Sequence, residues 1–194
     1  NNFLHKEYKI PKLIHIVNLQ ALTKNISSSK IFFEKEKEKD MISIKKYGSD
    51  TDLENIINNT RLLSSFKKIN DNCHEFKNFF LSLIVLYNQG GIHISHFFQS
   101  KKNFDFNIFF YEELFCKFKD NNSFTSDFFS VYPYNKIIKT CIDLITDIIH
   151  NNNYTFLKSI QNQNIFDVIL SNSIFQNSLH YHSKLFSVNI SNNH

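Results

Sequence analysis

The side chains best suited to chemistry stand in and just after a short alternating run at residues 92–95. His93 and His96 flank Ser95 there, and imidazole is a ligand for manganese or zinc. Neighbouring side chains of a strand point to opposite faces, so these two imidazoles cannot easily share one metal ion. We interpret His93 as a packing residue and His96 as a residue at the edge of a loop.

Two further groups of polar residues offer other chemistry. Glu112, Glu113 and Asp127 are candidates for a catalytic acid or base near the edge of a sheet, and the alternative for all three is a solvated loop. His180 and His182 would lie on one face of a strand, which suits a metal ion. Such a pair in a polar tail is also typical of a protein surface.

The charge pattern argues against a nucleic-acid partner. The formal net charge is +4, and Arg61 is the single arginine among 22 basic residues. Arginine is the usual residue for bidentate recognition of phosphate or guanine. The lysines are scattered or alternate with glutamates, as at residues 34–39, whereas nucleic-acid binders concentrate their charge on one face.

Cysteine usage and apolar runs bear on the compartment. The three cysteines are far apart and form neither a disulfide framework nor a zinc knuckle. The apolar run at residues 79–87 is too short to span a membrane. No signal peptide is recognisable, and a chain without an initial Met reads as trimmed or incomplete, so the secretory pathway stays open. The abundance of Phe, Ile, Asn and Lys indicates an AT-rich genome.

Strand and helix signals alternate in the first half of the chain. Residues 12–17 predict a buried first strand and residues 41–44 a second, with a helix start at residues 27–29 between them. Another helix is expected to begin at residues 50–54, where Asp50 can cap it. The segment 73–88 is apolar nearly all round, which predicts a longer helix buried against a sheet.

Gly90 and Gly91 follow this helix in a chain that has three glycines. They predict a tight turn into the next strand, because glycine supplies the left-handed conformation and permits close approach. That strand would carry Ser95 to a sheet edge where ligands usually bind. Beyond it we expect a polar loop at residues 99–103 and a strand at residues 106–110.

The second half continues the alternation. Residues 123–132 predict an extended stretch, and helical spacing predicts a helix that begins at Pro133 and ends at residues 151–153. The tail is expected to hold a short helix and a strand or two, with a frayed end at residues 191–194. The pattern predicts a single α/β domain over residues 1–194, with a mainly parallel central sheet flanked by helices.

The order of these motifs resembles a known family. IPKLIH at residues 10–15 is similar to IPKIIHQ, the first strand of glycosyltransferases with an Asp-x-Asp sugar-binding region, the family 32 type that includes initiating mannosyltransferases. LIVLYNQGGIHI at residues 83–94 resembles that family's YLILYEYGGIYLD, and DLENII at residues 52–57 resembles the helix between them. The resemblance covers residues 10–150, with 151–194 a weakly matched tail. It implies a GT-A-like, Rossmann-like domain that binds a nucleotide-sugar.

The resemblance also implies a set of site residues. By family position, the nucleotide-sugar would be bound by His15, Ile16, Ser82, Gly90, Gly91, Ser95, His96 and Phe97. Ser95 and Phe97 stand where the family has its two aspartates, and residues 78, 79 and 82 replace its Ala-Asp and Arg. A departing nucleoside diphosphate is usually neutralised by a divalent cation with oxygen ligands. Because serine is a weak ligand and phenylalanine is none, the resemblance implies a degenerate site.

Three hypotheses follow. The first is a glycosyltransferase-like pseudoenzyme that has lost metal-dependent transfer and binds a nucleotide-sugar or glycan, or a protein through an exposed Phe-rich surface. The second is an active enzyme that transfers a hexose with a rearranged site, with Mn²⁺ or Mg²⁺ as cofactor and Glu112, Glu113, Asp127 or His182 in the missing roles. The third is an α/β domain with a coincidental likeness, which predicts that the strand after Gly91 is not central.

Overall fold

A computed structural model describes residues 8–19, 30–32, 41–48, 52, 55–57, 60–69, 73–95, 99–117, 123–151 and 165–170. The helix start predicted at residues 27–29, Asp50, His96, Phe97, His180, His182 and the predicted frayed end all lie outside these residues.

A five-stranded sheet forms the centre of the fold. Its strands are β1 (Leu13–Val17), β3 (Ser43–Tyr47), β4 (Gly91–Ile94), β6 (Glu113–Lys117) and β7 (Phe124–Val131), in the spatial order β3-β1-β4-β7-β6. β1 pairs in parallel with both β3 and β4, whereas β7 is antiparallel to β4 and β6. Four of the five strands therefore run in one direction, which confirms the mainly parallel sheet. β4 lies in the middle, as the family resemblance requires.

Helices cover one face of this sheet, and four of them have bounds within the described residues. They are α1 (Thr60–Lys68), α2 (His74–Gln89), α3 (Lys136–His150) and α4 (Ile165–Leu170), and their apolar side chains share one core with the sheet. Helix α2 matches the predicted buried helix and is buried from Phe80 to Leu86 because it lies between β1 and α3. Burial of its apolar surface is the main source of stability that fixes β4 relative to the helices.

The opposite face is covered by a 3₁₀ helix, Phe106–Phe110, and by the segment before β1. Ile10, Ile108 and Phe109 are buried there against the isoleucines of β1 and β4. The strand predicted at residues 106–110 is wrong, because the side chain of Asp105 accepts a hydrogen bond from the N–H of Asn107 and caps a tight helical turn.

Three further strands of the structure differ from what the sequence predicted. The polar loop expected at Gln99–Asn103 is a strand, β5, which pairs in parallel with β2 (Lys30–Phe32) in a separate small sheet. The strand expected at residues 41–44 begins two residues later, since Ser43 lies opposite Leu13 in the register of β1. β6 was not predicted. Its residues lack apolar alternation, and they form a strand because they pair with β7.

The helix expected to begin at Pro133 begins at Lys136. The reason is Asn135, whose side-chain oxygen accepts hydrogen bonds from the N–H groups of Ile137 and Ile138. Pro133 instead lies in the turn that leads from β7 to this cap. The predicted end of the helix is confirmed, since Asn151 follows its last residue.

Candidate functional site

The strand order reverses between β1 and β4. From β1 the chain moves to β3 on one side, and it later returns to β4 on the other side of β1. In open α/β sheets, ligands bind beyond the carboxyl ends of the strands at such a switch point. Asn18 and Leu19 follow β1 at this edge, and Ser95 follows β4, so the predicted candidate Ser95 lies where the topology favours a ligand.

Asp127 lies beside Ser95 at the same edge. The backbone N–H of Ser95 donates to the carbonyl oxygen of Asp127 at 2.8 Å. This bond continues the antiparallel register in which Ile94 lies opposite Phe128. Facing residues of an antiparallel pair share a face of the sheet, with Cβ atoms roughly 5 Å apart. The structure therefore brings together two of the predicted site residues that are far apart in sequence.

The two side chains differ in their hydrogen bonds. The hydroxyl oxygen of Thr125 accepts from the backbone N–H of Asp127 at 3.0 Å and lies 3.4 Å from its carboxylate. The hydroxyl of Ser95 is buried and has no hydrogen-bond partner within the described part of the chain. A buried hydroxyl left unpaired costs roughly 1–3 kcal/mol. Ser95 is thus a polar group at a strand end with unused hydrogen-bonding capacity.

The family positions on α2 lie mostly in the core. Ser82 is fully buried, and its hydroxyl donates to the carbonyl oxygen of Phe79 at 2.7 Å. The ring of Phe79 packs edge-on against Phe129. Asn78 is different, because its side-chain oxygen accepts from the backbone N–H of Leu19 at 3.0 Å. Asn78 therefore anchors the segment after β1. The sequence signal for this role is weak, since it consists of one polar residue in an otherwise apolar helix.

Gly90 and Gly91 lie at the amino end of β4, away from Ser95. Their φ angles are +64° and +106°, which confirms the predicted tight turn after the helix. A Cβ atom on Gly90 would lie 2.6 Å from Pro133 Cδ, and one on Gly91 would lie 2.7 Å from the carbonyl oxygen of Leu13. The pair is required by close backbone packing, and its contact with a nucleotide-sugar stays a prediction.

His15 links this turn to the sheet. Its Nε2 atom lies 2.9 Å from the carbonyl oxygen of Gly90, and its Nδ1 atom lies 3.0 Å from the hydroxyl of Tyr47. Since a carbonyl only accepts, Nε2 carries the proton and Nδ1 accepts from Tyr47. Burial lowers the pKa of His15 to about 4. Ile16 lies in the core on the opposite face of the sheet.

Tyr47 was not predicted as a partner of His15. The register between β1 and β3 places Tyr47 opposite Val17, two residues beyond His15 and on the same face. The signal in the sequence is weak, because it depends on knowing which strands are neighbours.

Glu112 and Glu113 lie at the other end of the sheet from Asp127. Glu113 begins β6 opposite Val131, and Val131 in turn lies opposite Gly91. Glu112 forms an ion pair with Lys9, and Glu113 accepts from the side-chain amide of Asn135 at 2.6 Å. The structure therefore brings Asp127 to Ser95 and does not bring the two glutamates there.

The described residues at this edge do not by themselves offer a donor set that fits a divalent cation. Asp127 supplies one carboxylate beside Ser95, whereas Mg²⁺ and related hard cations take several oxygen ligands. Among the described residues, no group of three or more His, Cys, Asp or Glu side chains could hold a metal ion. His93 is buried with its ring 4.9 Å from that of Phe129.

Among the described phenylalanines of residues 104–115, Phe109 is buried and the others are partly buried. Phe104, Phe106 and Phe109 contact one another, and Phe115 contacts Phe166. The large exposed apolar side chains of the described segments are Tyr8, Met41, Ile44 and Tyr134. The Phe-rich partner surface is therefore not seen in this part of the chain. No helix within the described residues is long and apolar enough to cross a membrane.

Comparison with known proteins yields a structural likeness. No family model matches the chain, and no curated protein matches it. The chain is similar to a solved structure described as PaToxG Glycosyltransferase, with a TM-score of 0.47 and 14% sequence identity. The match covers 87% of this chain and 73% of that chain.

Proposed function

We propose that this chain is a glycosyltransferase-like domain of the GT-A type that binds a nucleotide-sugar and has lost most or all metal-dependent transfer. The observation that carries the proposal is the position of β4. This strand begins at the second glycine of the pair, lies at the centre of the sheet beside β1, and is followed at the switch point by Ser95. The motifs at residues 10–15 and 83–94, which resemble those of family 32, support the same assignment.

The charge of the site supports the loss of transfer. A nucleoside diphosphate gains negative charge as it leaves, and a cation or arginine usually stabilises that charge. Ser95 is neutral, and Asp127 adds a negative charge that works against a phosphate. Arg61, the single arginine, lies on α1 and binds the carboxylate of Asp147 at 2.7 Å. These residues offer the diphosphate little electrostatic stabilisation.

One observation favours an active enzyme as a second candidate. Asp127 lies next to Ser95, and a carboxylate there can accept the proton of an acceptor hydroxyl. The acceptor oxygen would then bond to the anomeric carbon of the sugar as the bond to the diphosphate breaks. In this version Asp127 is the catalytic base, since Glu112 and Glu113 lie at the other end of the sheet.

Calorimetry with UDP- and GDP-sugars, in EDTA and then in manganese, tests both candidates. We expect equal binding in the two buffers and no release of nucleoside diphosphate. Binding that strengthens to micromolar affinity with manganese would overturn the loss of metal-dependent chemistry.

Turnover that disappears in Asp127→Asn would establish the active enzyme instead. Asp143→Asn is the matched control, because that carboxylate is exposed on α3 and pairs with Lys139. Absence of binding in both buffers would overturn nucleotide-sugar binding altogether.

A further inference from the structure

We propose that Asp127 and Ser95 together bind a vicinal diol of a sugar directly, with no cation between protein and ligand. The inference rests on the proposed nucleotide-sugar-binding function. It names the part of the nucleotide-sugar that contacts the sheet edge after β4. Of these two residues, Ser95 alone would contact the nucleotide-sugar by family position. The new element is Asp127, which comes from β7 and which the resemblance does not place in sugar binding.

The geometry provides two adjacent polar groups. Ser95 and Asp127 face each other across β4 and β7, joined by the 2.8 Å backbone hydrogen bond. Both belong to the helix-covered face, since Phe129 and Val131 on alternate positions of β7 lie in that core. A carboxylate and a hydroxyl on side chains whose Cβ atoms are roughly 5 Å apart can both reach neighbouring hydroxyl groups of one sugar ring.

The carboxylate of Asp127 has acceptor capacity to spare. An ionised carboxylate has about four lone-pair sites, and in the described part of the chain Thr125 occupies one of them. Two hydroxyls of a diol can each donate to one carboxylate oxygen, and such charge-assisted bonds are stronger than neutral ones. The backbone N–H of Asp127 also donates to the hydroxyl oxygen of Thr125. This bond fixes the backbone of Asp127 and so restricts its carboxylate before a ligand binds.

The hydroxyl of Ser95 supplies the second contact. It is buried without a partner among the described residues, so a ligand hydroxyl at the strand end would pair a group that is otherwise unsatisfied. A phosphate group would not fit this pair as well, since Asp127 is negatively charged. The chemistry therefore favours the neutral sugar part of a nucleotide-sugar.

A vicinal diol occurs on both ribose and hexose, and ligand-observed NMR in EDTA separates the two sources. The probes are uridine, 2′-deoxyuridine, UDP, UDP-glucose and methyl glucoside. We expect UDP-glucose to bind and the affinity to fall at least tenfold in Asp127→Asn, with a smaller loss in Ser95→Ala. Asp127→Glu should retain part of the affinity, and Asp143→Asn should retain all of it. Circular dichroism confirms that each variant is folded.

The probes then assign the source of the diol. Binding of uridine that is lost in 2′-deoxyuridine identifies the ribose, whereas binding of methyl glucoside identifies the hexose. UDP-glucose that binds Asp127→Asn as tightly as the parent chain would overturn this inference and leave the proposed function standing. Failure of every probe to bind, with or without manganese, would overturn both.

Discussion

The imidazole of His15 donates a hydrogen bond from Nε2 to the carbonyl oxygen of Gly90 at 2.9 Å, although 75 positions separate the two residues. The same imidazole would lie 3.0 Å from a Cβ atom on Gly91. The bond thus fixes the turn between α2 and β4 to the neighbouring strand β1. Because Ser95 follows the last residue of β4, the position of the candidate site depends on this contact at the opposite end of the strand.

Gly91→Ala should destabilise the fold by about 3 kcal/mol. The added methyl group would lie 2.7 Å from the carbonyl oxygen of Leu13, and the φ of +106° is strained for alanine. Urea unfolding measures the loss as a lower midpoint at an unchanged slope. Ser64→Ala on the exposed side of α1 is the control, with an expected change within about 0.5 kcal/mol. A variant as stable as the parent would contradict the close packing of the turn.

The stability of the fold should fall as the pH drops from 6.5 towards 4. His15 has a folded-state pKa of about 4 against 6.5 for an ordinary histidine, because burial opposes its charged form. Between these values the unfolded chain binds a proton that the folded chain does not, so acid favours unfolding. A shift of this size corresponds to about 3 kcal/mol, fully present above pH 6.5.

Urea unfolding at pH 4.5, 5.5, 6.5 and 7.5 measures this dependence. His15→Gln should flatten the slope, although its stability at pH 7.5 will also be lower. If the variant kept the slope of the parent chain, another group would be responsible.

Asn78→Ala should loosen the segment after β1. The substitution removes the acceptor of the Leu19 N–H, and because this bond is part-buried its loss should cost about 1 kcal/mol. Amide hydrogen exchange at Leu19 should become faster while exchange in the middle of α2 stays slow. Asn88→Ala, at an exposed position of the same helix, should change neither rate. Equal exchange rates for Leu19 in Asn78→Ala and the parent would count against the anchor.

Glu112→Gln should leave ligand affinity unchanged. This carboxylate forms an exposed ion pair with Lys9 at the end of the sheet opposite Ser95, so its removal should cost less than about 1 kcal/mol of stability. Calorimetry with a nucleotide-sugar compares it with Asp127→Asn, which should bind at least tenfold more weakly. A large loss in Glu112→Gln would move the ligand to the other end of the sheet.

Local patterns predicted those elements that carry their own signal. The first strand, the buried helix α2 and the turn at Gly90 and Gly91 were predicted because apolar periodicity and scarce glycine specify them locally. β5 and β6 were missed because polar or mixed residues form them only when β2 and β7 lie alongside. The start of α3 was predicted three residues too early, because proline is common in the first turn of a helix. In the structure Asn135 caps the helix, which therefore begins at Lys136.

The sequence alone predicted the α/β class and a strand after the glycine pair, since these depend on residue types and their spacing. That this strand is central was decided by the sheet order. Only the tertiary structure decided which of the later carboxylates lies beside Ser95. Asp127, Glu112 and Glu113 are equivalent in sequence, but the antiparallel register of β4, β6 and β7 sends them to opposite ends of the sheet. Register is set by pairing between distant strands, and that pairing has no local signal.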